Sequence, residues 1–143
     1  METLDIKKLE ESSELELQVF DSRIQAGFPS PAQGSFADSV DLNHELINNP
    51  AATFCARVIG DSMVDSGINE GDMLIIDRSL EPHDGDIAVC FIDGDFTVKR
   101  IIINNNEISL VPANRKYPVI HVPKESNFII WGVVSHIIKK INR

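Results

Sequence analysis

Asp93-Gly94-Asp95-Phe96-Thr97-Val98-Lys99-Arg100-Ile101 reads as a tight turn feeding a strand. An Asp-Gly pair between two apolar runs favours a two-residue hairpin turn, because both central positions must take positive φ. The run before it, 86–92, is apolar, so the two together predict a β-hairpin with Lys99 on its second strand. Alternation puts Phe96, Val98 and Arg100 on one face of that strand, and Asp95, Thr97, Lys99 and Ile101 on the other. Two adjacent basic residues therefore point opposite ways. The residue that turns inward loses hydration, which for a lysine favours the free amine, able to take a proton; a guanidinium stays charged. Periodicity alone leaves open which of Lys99 and Arg100 faces inward.

Outward from this hairpin, the chain from 53 onward reads as strands: 53–59, 73–77, 86–92, 95–103, 107–111, 118–122 and 127–141. The fold class expected is mainly β, with one short helix and an extended N-terminal arm. Glu70-Gly71-Asp72, Asp84-Gly85-Asp86 and Asp93-Gly94-Asp95 each precede an apolar run and read as turns, with glycine supplying positive φ. A calcium site is the weaker reading, since EF-hand ligand spacing is absent. Gly132, inside the last run, predicts a bulge or bend. As an end strand, that run is also suited to pairing between subunits.

Two domains are expected: 1–39, an arm and linker, and 40–143, a β domain. In the arm, Leu4, Ile6 and Leu9 are too sparse for a helix, so an extended, loosely docked segment is expected. Glu14-Leu15-Glu16-Leu17-Gln18-Val19-Phe20 alternates as a half-buried strand does. The stretch 27–39, with Gly27, Pro29, Pro31, Gly34 and three serines, reads as linker. A short helix is expected over 41–49, capped by Asp41 and stopped by Asn49-Pro50. Twenty-six residues of this pattern do not build a helix-turn-helix, which needs packed helices with a core.

The formal net charge of −9 argues against direct DNA binding, which requires phosphate neutralisation. Residues 1–26 hold seven acids and three bases; the other 117 residues hold fifteen and ten. No apolar run approaches the ~18 residues of a membrane span, and no signal pattern opens the chain, so a cytoplasmic protein is expected. Cys55 and Cys90 lie in apolar runs and read as small buried hydrophobes. His44, His83, His121 and His136 show no metal-ligand spacing, and no metal or cofactor is expected.

Ser62 follows the apolar run 53–59 and Gly60, where a strand breaks into a turn. A serine held there and an inward lysine at 99 would form a Ser-Lys nucleophile and base pair. Standing alone, the two residues read more readily as a turn serine and a solvated lysine.

Their surroundings change that balance. Gly60-Asp61-Ser62-Met63, Gly67-Ile68, Gly71-Asp72, Gly85-Asp86-Ile87 and Phe96-Thr97-Val98-Lys99-Arg100 occur in an order and spacing that resembles the LexA/UmuD family of self-cleaving Ser-Lys peptidases. Ala26-Gly27-Phe28-Pro29-Ser30-Pro31-Ala32 is similar to that family's cleavage segment. Asp41-Leu42-Asn43 and Gly132-Val133-Val134 match as well. The resemblance implies Ser62 as nucleophile, Lys99 as base, backbone amides of Asp61 and Ser62 as oxyanion hole, and Ala26–Gly27 as the bond cut. It further implies a homodimer, stimulation of the cut by a RecA filament on single-stranded DNA, and a shortened product that joins a UmuC-type polymerase in damage bypass. Three competing expectations stand beside it: a LexA-like regulatory or anti-repressor module, a β interaction domain with an inactive pair, and a signal-peptidase-like enzyme acting in trans. The first needs a DNA-binding domain and the last a membrane anchor.

Overall fold

The structure, a computed structural model, describes residues 3–8, 16–20, 36–60, 63, 66–111, 118–122 and 128–142. It divides into two compact units: 1–9 with 49–143, and 10–48. The first residues belong with the larger unit.

The larger unit is an antiparallel sheet of eight strands. In chain order they are β1 (Thr3–Lys8), β4 (Thr53–Ile59), β5 (Met73–Asp77), β6 (Ile87–Ile92), β7 (Asp95–Asn104), β8 (Glu107–Val111), β9 (Ile120–Val122) and β10 (Phe128–Ile138). Their order across the sheet is β1-β4-β5-β10-β6-β7-β8-β9. The mainly-β expectation and nearly every strand boundary hold. Two differences stand out. The arm's first residues are no loose segment: β1 pairs with β4 over six residues. β10 is no end strand either: its first half pairs with β6 and its second half with β5. In both cases the partner lies far off in sequence, and local patterning does not report it.

Two-residue turns set the register. Asp93 and Gly94 take φ of 49° and 90°, as the hairpin requires. Asn105 and Asn106 do the same, at 49° and 64°, between β7 and β8. Gly132 sits at a register shift in β10, as its place inside a strand suggested. The reason is space: a Cβ there would lie 2.6 Å from Ile76 Cγ2.

Both sheet faces carry apolar residues. One cluster joins Ala56, Val58, Met63, Ile68, Leu74, Ile76, Val89 and Val98. Phe54, Phe96 and Trp131 border it, with ring centroids 5.0 and 5.5 Å from Trp131 in edge-on contact. The Arg78 guanidinium covers the Trp131 ring at 4.4 Å. The second cluster, Ala88, Cys90, Ile101 and Leu110, lies in the β6–β8 region. Cys90 is buried and Cys55 half-buried.

The smaller unit holds β2 (Glu16–Phe20), β3 (Phe36–Asp41) and α1 (Leu42–Leu46). β2 and β3 pair antiparallel. Residues 36–39 are therefore strand and not linker, because β2 supplies the backbone partners that a linker lacks. Asp41 caps α1 as expected, its carboxylate accepting from Asn43 N at 3.0 Å. The helix ends at Leu46 rather than 49, since Ile47 is already extended.

Candidate active site

β7 positions Lys99 through its register. Ala88 of β6 stands opposite Lys99, Val89 opposite Val98, and Ile87 opposite Arg100. Partners directly across share a face, so Lys99 belongs to the face of Ala88, Cys90 and Ile101. Ala88 carries only a methyl group, which leaves room for a long stem. The Lys99 side chain is buried, with 7% of the residue exposed. Among the described residues, no hydrogen bond or ion pair to its ammonium is present.

Arg100 goes the other way and is held by polar groups. Its Nη1 donates to the Gly85 carbonyl at 2.7 Å and its Nη2 to Ser66 Oγ at 3.2 Å. Of the two residues left open by periodicity, Lys99 is the buried one.

The β4–β5 connection is the element that would carry the nucleophile. β4 stops at Ile59, and Gly60 at φ 113° turns the chain out of the strand, as the Ile-Gly step suggested. Beyond it, Met63 is 1% exposed within the first cluster. Its carbonyl accepts from Ser66 N at 3.0 Å and Ile68 N at 3.2 Å, so this part of the connection closes on itself. Ile68 is wholly buried and pins the next turn. Met63 packs in the core. Ser62 and Asp61, the expected nucleophile and amide donors, lie outside the described residues. So do Ala26 and Gly27.

The connection returns through Asp72, which sequence reasoning read only as turn punctuation. Its carboxylate accepts from Asn69 N at 2.8 Å and from Lys139 Nζ at 2.5 Å. Its backbone oxygen accepts from Val58 N at 2.9 Å, while Gly71 N donates to Val58 O at 2.8 Å. Arg57 Nη1 adds a bond to the Gly71 carbonyl at 3.0 Å. The connection is thus clamped at its β5 end from both β4 and the segment after β10. No local signal could have found Lys139, 67 positions away.

Of the other two acidic-Gly-Asp turns, 93–95 closes its own hairpin, whereas 84–86 is also tied to β7, Ile103 N donating to the Asp84 carboxylate at 2.8 Å and Gly85 N to the Ile101 carbonyl at 2.8 Å. Gly71, Gly85 and Gly94 all have φ near 90°. Asp86 caps its own turn by accepting from His83 N at 2.8 Å. Among the described residues, no helix is long and apolar enough to cross a membrane.

Comparison with known proteins places the chain among its relatives. Residues 18–135 match the Peptidase S24-like family. The chain is 44% identical to Protein MucA of Salmonella typhimurium over 115 residues, which cover 80% of this chain and 78% of that protein. It is 43% identical to Protein SamA of Salmonella typhimurium over 122 residues, covering 85% and 84% of the two. It is 35% identical to the LexA repressor of Stenotrophomonas maltophilia over 117 residues, covering 82% of this chain and 55% of the repressor.

Proposed function

Starting from the fact that this chain belongs to the S24-like peptidase family, a family of self-cleaving serine peptidases, and is of the UmuD type within it, we propose that it cuts its own Ala26–Gly27 bond with Ser62 as nucleophile and Lys99 as general base. The observation that carries this reading is the burial of Lys99 beside an Arg100 tied elsewhere. A free amine at that position takes the Ser62 hydroxyl proton as Oγ bonds to the Ala26 carbonyl carbon. The backbone amides of Asp61 and Ser62 hold the oxyanion, in place before the charge develops. Collapse breaks the Ala26–Gly27 bond, and Lys99 returns the proton to the departing Gly27 amine. Water then attacks the acyl-serine, with Lys99 again accepting a proton, and frees the Ala26 carboxylate.

In this reading the 1–39 segment is functionally the arm and its cleavage linker, and 40–143 the peptidase-like part. The product of 117 residues acts in the cytoplasm, as a homodimer, with a UmuC-type polymerase in error-prone damage bypass. A RecA filament on single-stranded DNA stimulates the cut without lending a catalytic group, by favouring the conformer in which the cleft is closed.

Mass spectrometry of the purified chain incubated at mildly alkaline pH tests this. Fragments of 26 and 117 residues are expected from wild type and none from Ser62→Ala. A cut mapped outside residues 22–32 would overturn the assignment of the bond. Equal cleavage by Lys99→Ala would overturn the Ser-Lys assignment, and a lack of cleavage by wild type would favour the interaction-module reading.

A further inference from the structure

β1 and β2 both have their strand partners on the other side of the proposed cut, and β1 is the one that belongs to the larger unit. Thr3–Lys8 falls in the segment that ends at Ala26, whereas β4 falls in the segment that begins at Gly27. The pairing runs from Thr3 opposite Ile59 to Lys8 opposite Phe54. It is reinforced on one face. Leu4 and Ile6 pack against the cluster that contains their cross-strand partners Val58 and Ala56. At the end of the strand the Lys8 ammonium donates to the carbonyls of Pro50 and Ala51, at 2.9 and 2.7 Å. It also sits 4.7 Å from the centre of the Phe54 ring. Every one of these partners belongs to the 117-residue side.

We propose that the β4 edge is a docking site for an extended peptide, occupied by the chain's own Thr3–Lys8, so that a cut at Ala26–Gly27 leaves this strand bound and its departure is a separate step. The proposal rests on the Ala26–Gly27 reading for its consequence, but not for the docking itself. Ladder bonds, two apolar anchors and a captured lysine make up a strand-addition site. Cutting the tether removes none of these contacts. It removes only the covalent tether and the effective concentration that a tether supplies, on the order of millimolar, while β2 and β3 also pair across the cut. The cut chain is then a complex of two peptides. The unpaired edge of β4 and the apolar surface under Leu4 and Ile6 open only when the short one leaves, or when an extended segment of the same pattern displaces it.

The test separates docking from self-cleavage by using a foreign protease. In the full chain, Gly27→Glu blocks self-cutting and a site-specific protease sequence replaces residues 28–33. After nicking, size exclusion at about 10 μM, well below a tether's effective concentration, is read by mass spectrometry. The N-terminal fragment is expected to co-elute with the remainder, and to elute apart when it carries Leu4→Glu and Ile6→Glu. Separate elution of the unmutated fragment, or retention of the mutated one through the β2–β3 pairing alone, would overturn the proposal. A second measurement needs no nick. Lys7 stands opposite Cys55. Directly opposed residues of antiparallel strands have Cα atoms about 4.5–5.5 Å apart, within disulfide range. Lys7→Cys should therefore form an intramolecular disulfide with Cys55 under mild oxidation, whereas Lys8→Cys, on the opposite face, should not. Equal behaviour of the two variants would also overturn it.

Discussion

Lys99 and Arg100 differ by one position and have opposite surroundings. A strand reverses its side chains at each step, so one of two adjacent cations must be directed away from the other. Arg100 finds a carbonyl and a hydroxyl; Lys99 is buried beside a methyl group. The proposed chemistry asks for a group that can shed its proton, and only the lysine qualifies. Lys99→Ala and Lys99→Arg are each expected to slow self-cutting at least about 100-fold, the lower end of what a positioned base contributes. Cleavage rates of the three proteins measured side by side check this. Gly132 gives a second prediction at this scale. A methyl group there meets Ile76 Cγ2 at 2.6 Å and Arg78 Cγ at 3.3 Å. Gly132→Ala should cost about 1–3 kcal/mol, as overpacking does in a filled core. Urea unfolding measures it, and an unchanged midpoint would show that β10 can shift away from β5.

Among the elements, the connection between β4 and β5 is the one on which the proposed activity depends. It is not a free loop. Met63 and Ile68 anchor it in the core, and Asp72 ties it to the segment after β10. Asp72→Ala leaves Asn69 N–H without its acceptor and Lys139 without its partner. The expected loss is about 0.5–1.5 kcal/mol, the net worth of a typical hydrogen bond, because Asn69 is exposed and the Lys139 side chain partly so. Lys139→Ala should cost less. Its side chain is 36% exposed and water replaces part of what it gives. If the clamp serves the site as well as the fold, Asp72→Ala should slow self-cutting even where the chain is fully folded. Thermal denaturation followed by cleavage assays at a temperature well below both midpoints separates the two effects.

For the whole molecule, the main questions are reach and charge. Twenty-six positions separate Gly27 from Thr53, a span with an upper limit of about 90 Å if fully extended. β3 and the five-residue α1 shorten it. That length admits cutting within one chain or between two. Mixing Ser62→Ala with Gly27→Glu decides the matter: product from the Ser62→Ala chain establishes the route between chains, and its absence the route within one. The net charge of −9 gives the other prediction. Alone, the protein should bind single-stranded DNA weakly at physiological salt, since few phosphates could be neutralised. Fluorescence anisotropy with a labelled oligonucleotide checks this, and tight, salt-sensitive binding would contradict it.

Local chemistry by itself determined most of the strands here. Asp93-Gly94 allows little other than a tight hairpin, and that hairpin sets Lys99 opposite Ala88. Gly60 ends β4, Asp41 caps α1, and Gly132 breaks the register of β10, each because the residue type limits the backbone within a few positions. What needed the tertiary structure was every decision between distant segments. Periodicity said that Lys99 and Arg100 diverge; only packing of β7 between β6 and β8 decided which one is buried. Thr3–Lys8 carries too few apolar residues to announce a strand, and becomes one because β4 offers an open edge with Val58 and Ala56 beneath it. β10 looked terminal because it is last in sequence, yet it lies inside the sheet because two separate halves of its backbone find partners in β5 and β6. Asp72 looked like one more turn residue until Lys139 was brought to it. Backbone limits act over a few residues and are written locally. Burial and pairing depend on which segments meet, and that is settled only when the chain has folded.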